Sequence, residues 1–419
     1  MRILTVSQLQ KDIHAALNAW DDLAGTSINL LEDLLLVQIE RQKKSGSSPT
    51  TRRLATNQIL KTNIDLLRQQ DPLGAEILSS RFMDQETVLM VARKLDLSED
   101  QIKRRQRVAI KNLAQIILEH EEVLRGNLNH QMQTQLMPMN YSELFGVEET
   151  GQLLLGQLQQ LAAPWVIALV GIGGIGKTSL ADKVVREVIQ DFVYQQIIWL
   201  QIDILPGRLP HETLNTILAQ LADKLGFAGS PSDKQEERKN FVHQVLKSSP
   251  YLIVVDNLES EADAVFLSSI LTELSNPSKF LLTSRVRLPA SASIMSILIG
   301  ELSKEDTFLL IRQQARLRGQ NDLAEASEDK LQVIYDVAGG NPLAIKLVVG
   351  LTDVYPLTSI LADLKKAKTR EVSDLYIQIY WYAWNSLSEH GQALLEVMPM
   401  VSMIGVTPEK LSVMSGLEE

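Results

Sequence analysis

The octapeptide Gly171-Ile-Gly-Gly-Ile-Gly-Lys-Thr178 has the residue types and spacing to grip a polyphosphate. Glycines let backbone N–H groups turn inward around phosphate oxygens. Lys177 then reaches the β- and γ-phosphates, and the Thr178 hydroxyl is a ligand for magnesium. The candidate phosphate contacts are Gly171, Gly173, Gly174, Ile175, Gly176, Lys177, Thr178 and Ser179. A second element, Tyr251-Leu-Ile-Val-Val-Asp256, is an apolar run ending in an acid. Asp256 is expected to share the metal with Thr178. A third, Lys279-Phe-Leu-Leu-Thr-Ser-Arg285, ends in a cation suited to touching the γ-phosphate and reporting its presence, with Arg287 as the neighbouring alternative. Lys177, Asp256 and Arg285 form the expected catalytic set.

These residues need a scaffold that brings them together. Trp165-Val-Ile-Ala-Leu-Val170 reads as a buried strand entering the glycine loop, and Ser179-Leu-Ala-Asp-Lys-Val-Val-Arg186 as the helix leaving it. Strand, loop and helix in that order place helix N–H groups and their partial positive charge at the phosphates. Strand patterns recur at 165–171, 196–202, 251–256, 279–284 and 295–299, with helical patterns between most of them. Such alternation predicts a parallel sheet covered on both faces. In that arrangement the strand ends carrying Asp256 and Arg285 share one edge with the loop.

Residues 1–125 read as all helix, with apolar residues three and four apart from Val6 to Leu23 and from Ile28 to Ile39. Ser27 is the expected cap of the second helix. Arg41 to Arg53 is polar, basic and turn-rich, and reads as a loop offering a second phosphate contact or as a disordered segment. Helix resumes over 54–68, with shorter segments near 73–82, 85–95 and 99–123. Gly126 to Asn140 lacks periodicity and reads as a linker. Residues 141–302 form the α/β part, 303–368 return to helix, and 369–419 are helical to the end.

Within the N-terminal part, Asp84 to Ser98 reads as a helix and tight turn, and Ser98-Glu-Asp-Gln101 as a capping box opening the next helix. That helix carries Lys103, Arg104, Arg105, Arg107 and Lys111, with Ile102, Val108, Ile110 and Leu113 as expected apolar contacts, Val108 fitting the pattern least. A helix-turn-helix over about 73–118 follows, whose cations would meet duplex DNA phosphates and guanine edges. The same face equally suits a protein partner. Glu99 and Asp100, at the helix start, oppose a nucleic-acid approach and also fit pairing with the helix dipole.

Composition sets outer bounds. The chain of 419 residues is 45% apolar and 22% charged, the profile of a globular protein with several domains. It has no cysteine, which excludes disulfides, thiolate zinc sites and cysteine nucleophiles, and fits a cytoplasmic protein. No apolar run is long enough for a membrane span, and the N-terminus lacks a signal-peptide core. The net charge of −10 is uneven: residues 1–130 hold 18 Lys and Arg against 17 Asp and Glu, the remainder 23 against 34. An acidic body confines any polyanion contact to a local, N-terminal patch.

The glycine loop, Asp256, Thr283-Ser-Arg285 and Gly340-Asn-Pro-Leu343, in this order, resemble the NB-ARC family of STAND nucleotide switches, which includes plant resistance proteins, apoptosome ATPases and bacterial regulators. The resemblance covers about 141–419 and implies a P-loop NTPase domain, a helical domain, and from about Asp374 a partial winged helix. It implies ATP or ADP with Mg2+, a possible homo-oligomer in the ATP state, and adenine contacts from Phe145, Gly146 and Pro342. Three positions depart from the pattern: Val147 stands where the family has arginine, Asn257 where it often has a second aspartate, and no Met-His-Asp motif appears. Asn257 cannot take a proton from water, so slow hydrolysis with intact binding is expected; Glu259 is either a substitute base or a solvated helix-start acid. The absent Met-His-Asp motif leads us to expect a repeat-type sensor region beyond Glu419. No Asn-Lys-x-Asp guanine motif occurs, which favours adenine. The stretch Ala75–Leu118 resembles region four of bacterial sigma factors. Together these imply a nucleotide-controlled transcription regulator, or a switch whose N-terminal helices bind a protein partner in defence or death-like signalling.

Overall fold

The structure, a computed structural model, describes residues 5–22, 30–44, 48–139, 141–202, 207–227, 235–361, 387–398 and 406–417, with positions 381, 384, 385 and 401. It divides into two units. One comprises the residues up to Gln135 with Ile189–Phe192, the other Leu136–Val188 and the chain from Val193.

The first unit is helical. Thr5 caps α1 (Val6–Asn18), which ends short of the expected Leu23, a residue outside those described. A single turn of 3-10 helix, Leu30–Asp33, precedes α2 (Leu35–Lys43), where one helix from Ile28 was expected. Ile28 and its expected cap Ser27 lie outside the described residues. The reason for the break is tertiary. The buried Glu121 carboxylate accepts the Leu35 and Leu36 N–H groups at 2.9 and 3.0 Å and pairs with Arg125 at 2.7 Å. The first donors of α2 are thus satisfied from a distant helix.

Helices α2, running through Lys43, and α3 (Pro49–Gln70) correct the reading of both ends of 41–53 as loop; residues 45–47 lie outside those described. Ser48 accepts the Thr51 N–H at 3.1 Å and Pro49 occupies the first helical position, a strong local start signal. Arg53 is buried and Arg52 sits 3.6 Å from Glu32. Neither stands ready as the expected second phosphate contact.

Helix α4 (Pro72–Leu78) widens into a π turn, Ser79–Met83, followed by α5 (Val88–Lys94) and the 36-residue α6 (Glu99–Thr134). The segment read as a linker from Gly126 is therefore helical through Thr134. Its Gln, Leu and Met residues are adequate helix formers, but between Gly126 and Thr134 Met132 alone is buried, so the apolar period vanished.

The second unit alternates as expected: α7 (Glu148–Gln159), β1 (Val166–Val170), α8 (Lys177–Ile189), β2 (Gln196–Gln201), α9 (Pro210–Lys224), α10 (Gln235–Ser248), β3 (Tyr251–Leu258), α11 (Glu261–Leu274), β4 (Lys279–Ser284) and β5 (Ile294–Leu298). All five strands are parallel, in the order β2-β3-β4-β1-β5. The apolar side chains of β1, β3 and β4 are buried on both faces, the pattern of a sheet sandwiched between helices. Strand β5 is an edge, and Leu298 on it is exposed.

Four helices follow: α12 (Lys304–Leu317), α13 (Asn321–Ala324), α14 (Glu328–Ala338) and α15 (Pro342–Leu351). They share an apolar core around Ile311, Leu331, Ile334, Ile345 and Val348. Farther on, helices Glu389–Val397 and Pro408–Ser415 are described. Most of the stretch expected to begin a winged helix lies outside the described residues. Among the described residues, no single helix is long and apolar enough to cross a membrane.

Candidate functional site

The order of the sheet explains how residues distant in sequence meet. β1 lies between β4 and β5, with Val170 in register with Ser284 and Leu298. Because every strand is parallel, the carboxyl ends of β1, β3 and β4 lie along one edge. Gly171, Asp256 and Arg285 each lie at or just after one of those ends.

The loop folds back over its own lysine. Lys177 Nζ donates to Gly171 O at 2.9 Å and Ile172 O at 3.0 Å. Burial and the neighbouring Arg285 charge lower its pKa, while Glu259 and Asp256 oppose them. Thr178 Oγ1 donates to Asp256 Oδ1 at 2.8 Å, and the Thr283 hydroxyl donates to the same carboxylate oxygen. Asp256 is 3% exposed, so these bonds replace the water it has lost.

Strand β3 is irregular where the chemistry starts. Its pairing with β4 shifts register between Val255 and Leu258, and Asn257 adopts φ of +72°. Asparagine tolerates this left-handed conformation better than most residues. The Asn257 N–H donates to Thr283 Oγ1 at 3.0 Å, which ties the irregular step to β4.

A cavity of about 320 Å3, a size usual for small-ligand sites, opens over the loop. Of the expected residues, Phe145, Gly173, Gly174, Ile175, Gly176, Lys177, Thr178, Ser179, Arg285 and Pro342 line it. Gly171 and Gly146 do not. A side chain on Gly171 would meet Ile299 O at 2.8 Å, and one on Gly146 would meet the Asp306 carboxylate at the same distance. These two glycines serve close packing. Asp256 lies behind Thr178.

Several lining residues carried no functional weight in the sequence: Glu143, Leu302, Leu310 and Lys346. Asn341 was quoted only as part of a motif. It is 1% exposed and joins the phosphate loop to α15. Its Oδ1 accepts the Leu343 and Ala344 N–H groups at 3.0 and 3.2 Å, capping the helix. That fixes the orientation of the amide, and Nδ2 then donates to Gly173 O at 3.0 Å. The Leu343 N–H also reaches Gly174 O at 3.2 Å. The Asn-Pro dipeptide at a predicted helix start was a readable cap signal. Its second bond was not readable.

Two anchors hold this half of the unit. Tyr141 Oη donates to Asp182 Oδ2 at 2.7 Å, beside Arg186, and burial with that bond raises the Tyr141 pKa. Lys279, buried at the start of β4, donates to Gln157 O at 2.7 Å and lies over Trp165. Its loss of water pushes its pKa down to about 8.

In the N-terminal unit the capping box forms as expected: the Gln101 N–H reaches Ser98 Oγ at 3.2 Å and the Ser98 N–H reaches Gln101 Oε1 at 2.8 Å. Asp96, with φ of +53°, turns the chain between α5 and α6. Ile77, Val91, Ala92 and Ile102 close a small core under the turn. Lys103, Arg104, Arg105, Arg107 and Lys111 are all exposed, and none is ion-paired among the described residues. Helical spacing puts Lys103, Arg104, Arg107 and Lys111 on one face, opposite the buried Ile102, Ala109 and Leu113, with Arg105 on the flank.

Sheet order, glycine loop and acid-tipped strand define a P-loop nucleotide-binding unit. Residues 147–317 match the family described as the NB-ARC domain. The chain is 27% identical over 214 residues to disease resistance RPP8-like protein 3 of Arabidopsis thaliana, a match covering 50% of this chain and 23% of that protein. It is 31% identical over 206 residues to an uncharacterised WD repeat-containing protein of Nostoc sp., covering 44% of this chain and 16% of that one. The aligned stretches thus span under a quarter of either relative. Among solved structures, a STAND protein with a tetratricopeptide repeat sensor from Pyrococcus horikoshii matches 66% of this chain and 40% of its own, at 14% identity and a TM-score of 0.39.

Proposed function

We propose that the protein is an adenine-nucleotide-dependent switch whose nucleotide state governs an N-terminal DNA-binding helix-turn-helix, with transcription control as its output. The observation that carries the nucleotide half is the 2.8 Å contact between Thr178 and Asp256 beneath a cavity that Lys177, Arg285 and Pro342 also line. Thr178 and Asp256 are hard oxygen donors of the kind that suit Mg2+, which would neutralise phosphate charge there. Asp256 and Lys177 orient and balance charge, and Arg285 is the sensor of the terminal phosphate. Asn257 leaves no acid at the next position, so binding dominates over turnover. A nucleotide in this cavity touches both the phosphate loop and α15, so its terminal phosphate biases how the helices α12–α15 sit against the sheet.

The exposed cations on one face of α6, none ion-paired among the described residues, carry the DNA half. The test is duplex binding against salt for wild type and a Lys103→Ala/Arg104→Ala/Arg105→Ala variant. Loss of up to three phosphate contacts lowers the slope of log K against log salt by about 0.9 per contact. No binding at low salt removes the DNA reading. For the nucleotide half, Lys177→Ala is expected to abolish retention of ADP and ATP, and unchanged retention defeats it. A second reading, a protein-binding effector as in defence signalling, is favoured by Leu89, Met90 and Val108, apolar yet exposed in the same helix-turn-helix. DNA-independent capture of a partner, lost on Met90→Glu, distinguishes it.

A further inference from the structure

Glu259 and Arg285 face one another at the mouth of the cavity. Arg285 Nε lies 2.8 Å from Glu259 Oε1, and both residues line the site with Lys177 and Asn257. The guanidinium also lies against the phosphate loop: a Cβ built on Gly173 would come within 3.4 Å of its Nη2 and 3.5 Å of its Cζ. A cation is thus held across the second glycine of the loop, and a carboxylate holds it there.

The placement of Glu259 has a local cause. The irregular step of β3 and the left-handed Asn257 redirect the chain after Asp256. Ser260 then caps α11, its hydroxyl accepting the Asp263 N–H at 3.4 Å. Glu259 therefore precedes the cap. The acids that complement the α11 dipole are Glu261 and Asp263, in its first turn. Glu259 is left to act on the cavity.

A carboxylate here affects diphosphate and triphosphate differently. A nucleoside diphosphate ends its charge in the glycine loop. A triphosphate adds a further anionic group toward Arg285, which must then exchange or share its partner, and leaves Glu259 facing a like charge. We propose that Glu259 sets the preference of this site for nucleoside diphosphate over triphosphate by competing with the terminal phosphate for Arg285. The proposal rests on the nucleotide reading above and deepens it.

The test is titration of fluorescent ADP and of a fluorescent, non-hydrolysable ATP analogue into wild type, Glu259→Gln, Arg285→Ala and the double variant. The glutamine is isosteric, and circular dichroism confirms folding of each. Glu259→Gln is expected to shift the triphosphate-to-diphosphate affinity ratio toward triphosphate by about two- to five-fold, the range an ion pair this exposed supports. Arg285→Ala is expected to weaken triphosphate alone, and adding Glu259→Gln to it to change the ratio little, because the two residues act as one unit. An unchanged ratio in Glu259→Gln, or the same shift with and without Arg285, overturns the proposal even where both nucleotides bind. Slower hydrolysis in Glu259→Gln with an unchanged ratio makes Glu259 a base and overturns it equally. Failure of wild type to bind either nucleotide defeats the nucleotide reading itself.

Discussion

Removing the Asn341 side chain separates two jobs that one amide performs. Asn341→Ala deletes the acceptor that caps α15 and the donor to Gly173 O. Loss of such a cap costs about 0.5–2 kcal/mol. Leaving the Gly173 carbonyl without its donor costs about 1–3 kcal/mol where water cannot replace it. Asn341→Asp keeps the acceptor and adds a charge favourable at a helix start, but has no donor for Gly173 O. The two variants are therefore expected to differ at the helix and agree at the loop. Hydrogen exchange reads the first. The Ala344 amide, bonded to Asn341 Oδ1 at 3.2 Å, is expected to lose protection by about ten-fold in the alanine variant, one decade per 1.4 kcal/mol, and to keep it within about three-fold in the aspartate variant. The dissociation rate of bound ADP reads the second and is expected to rise in both. Equal loss of Ala344 protection in the two variants refutes the capping argument. An unchanged ADP dissociation rate in both refutes the idea that this amide ties the phosphate loop to the helices behind it.

Two glycines of the loop are expected to respond unequally. Gly174 has φ of +74°, and a Cβ there would sit 2.5 Å from Leu343 Cβ; Gly176 has φ of +100° and open space around it. Gly174→Ala combines backbone strain with a clash and is expected to lower the melting temperature by several degrees more than Gly176→Ala, whose cost is the strain of about 1–2 kcal/mol alone; calorimetry of both variants decides. Lys279 supplies a pH test. Its folded pKa, about 8, lies below the ordinary 10.5, so folding disfavours the charged form. The resulting cost, at most about 3 kcal/mol, is fully present below pH 8 and disappears as pH rises toward 10.5. Urea unfolding of wild type is expected to gain stability across that window relative to Lys279→Met, and parallel curves refute the assignment.

Much of the second unit was legible in sequence because its signals are local. Buried parallel strands are short apolar runs, so all five strand patterns lie within a residue or two of the strands observed. The first unit was harder. Exposed helix ends carry no apolar period, which hid the last turns of α6 behind a linker reading. A polar run between helices looked like a loop, although Ser48 and Pro49 were already a helix start. Asn341 was visible only as part of a motif, and its bond to Gly173 O spans 168 residues. The same holds for Glu121 on α2, which no neighbouring residue announces.

Taken alone, then, the sequence determined the phosphate loop, the strand that carries its acid and the helix that follows it, because glycine conformation, apolar runs and caps act within a few residues. Only the tertiary structure decided which strand neighbours β1, that Arg285 is held by Glu259 across Gly173, and that Asn341 straps the loop to α15. Those contacts depend on strand order and on an irregular step in β3, where the chain turns on distances that local preference does not encode.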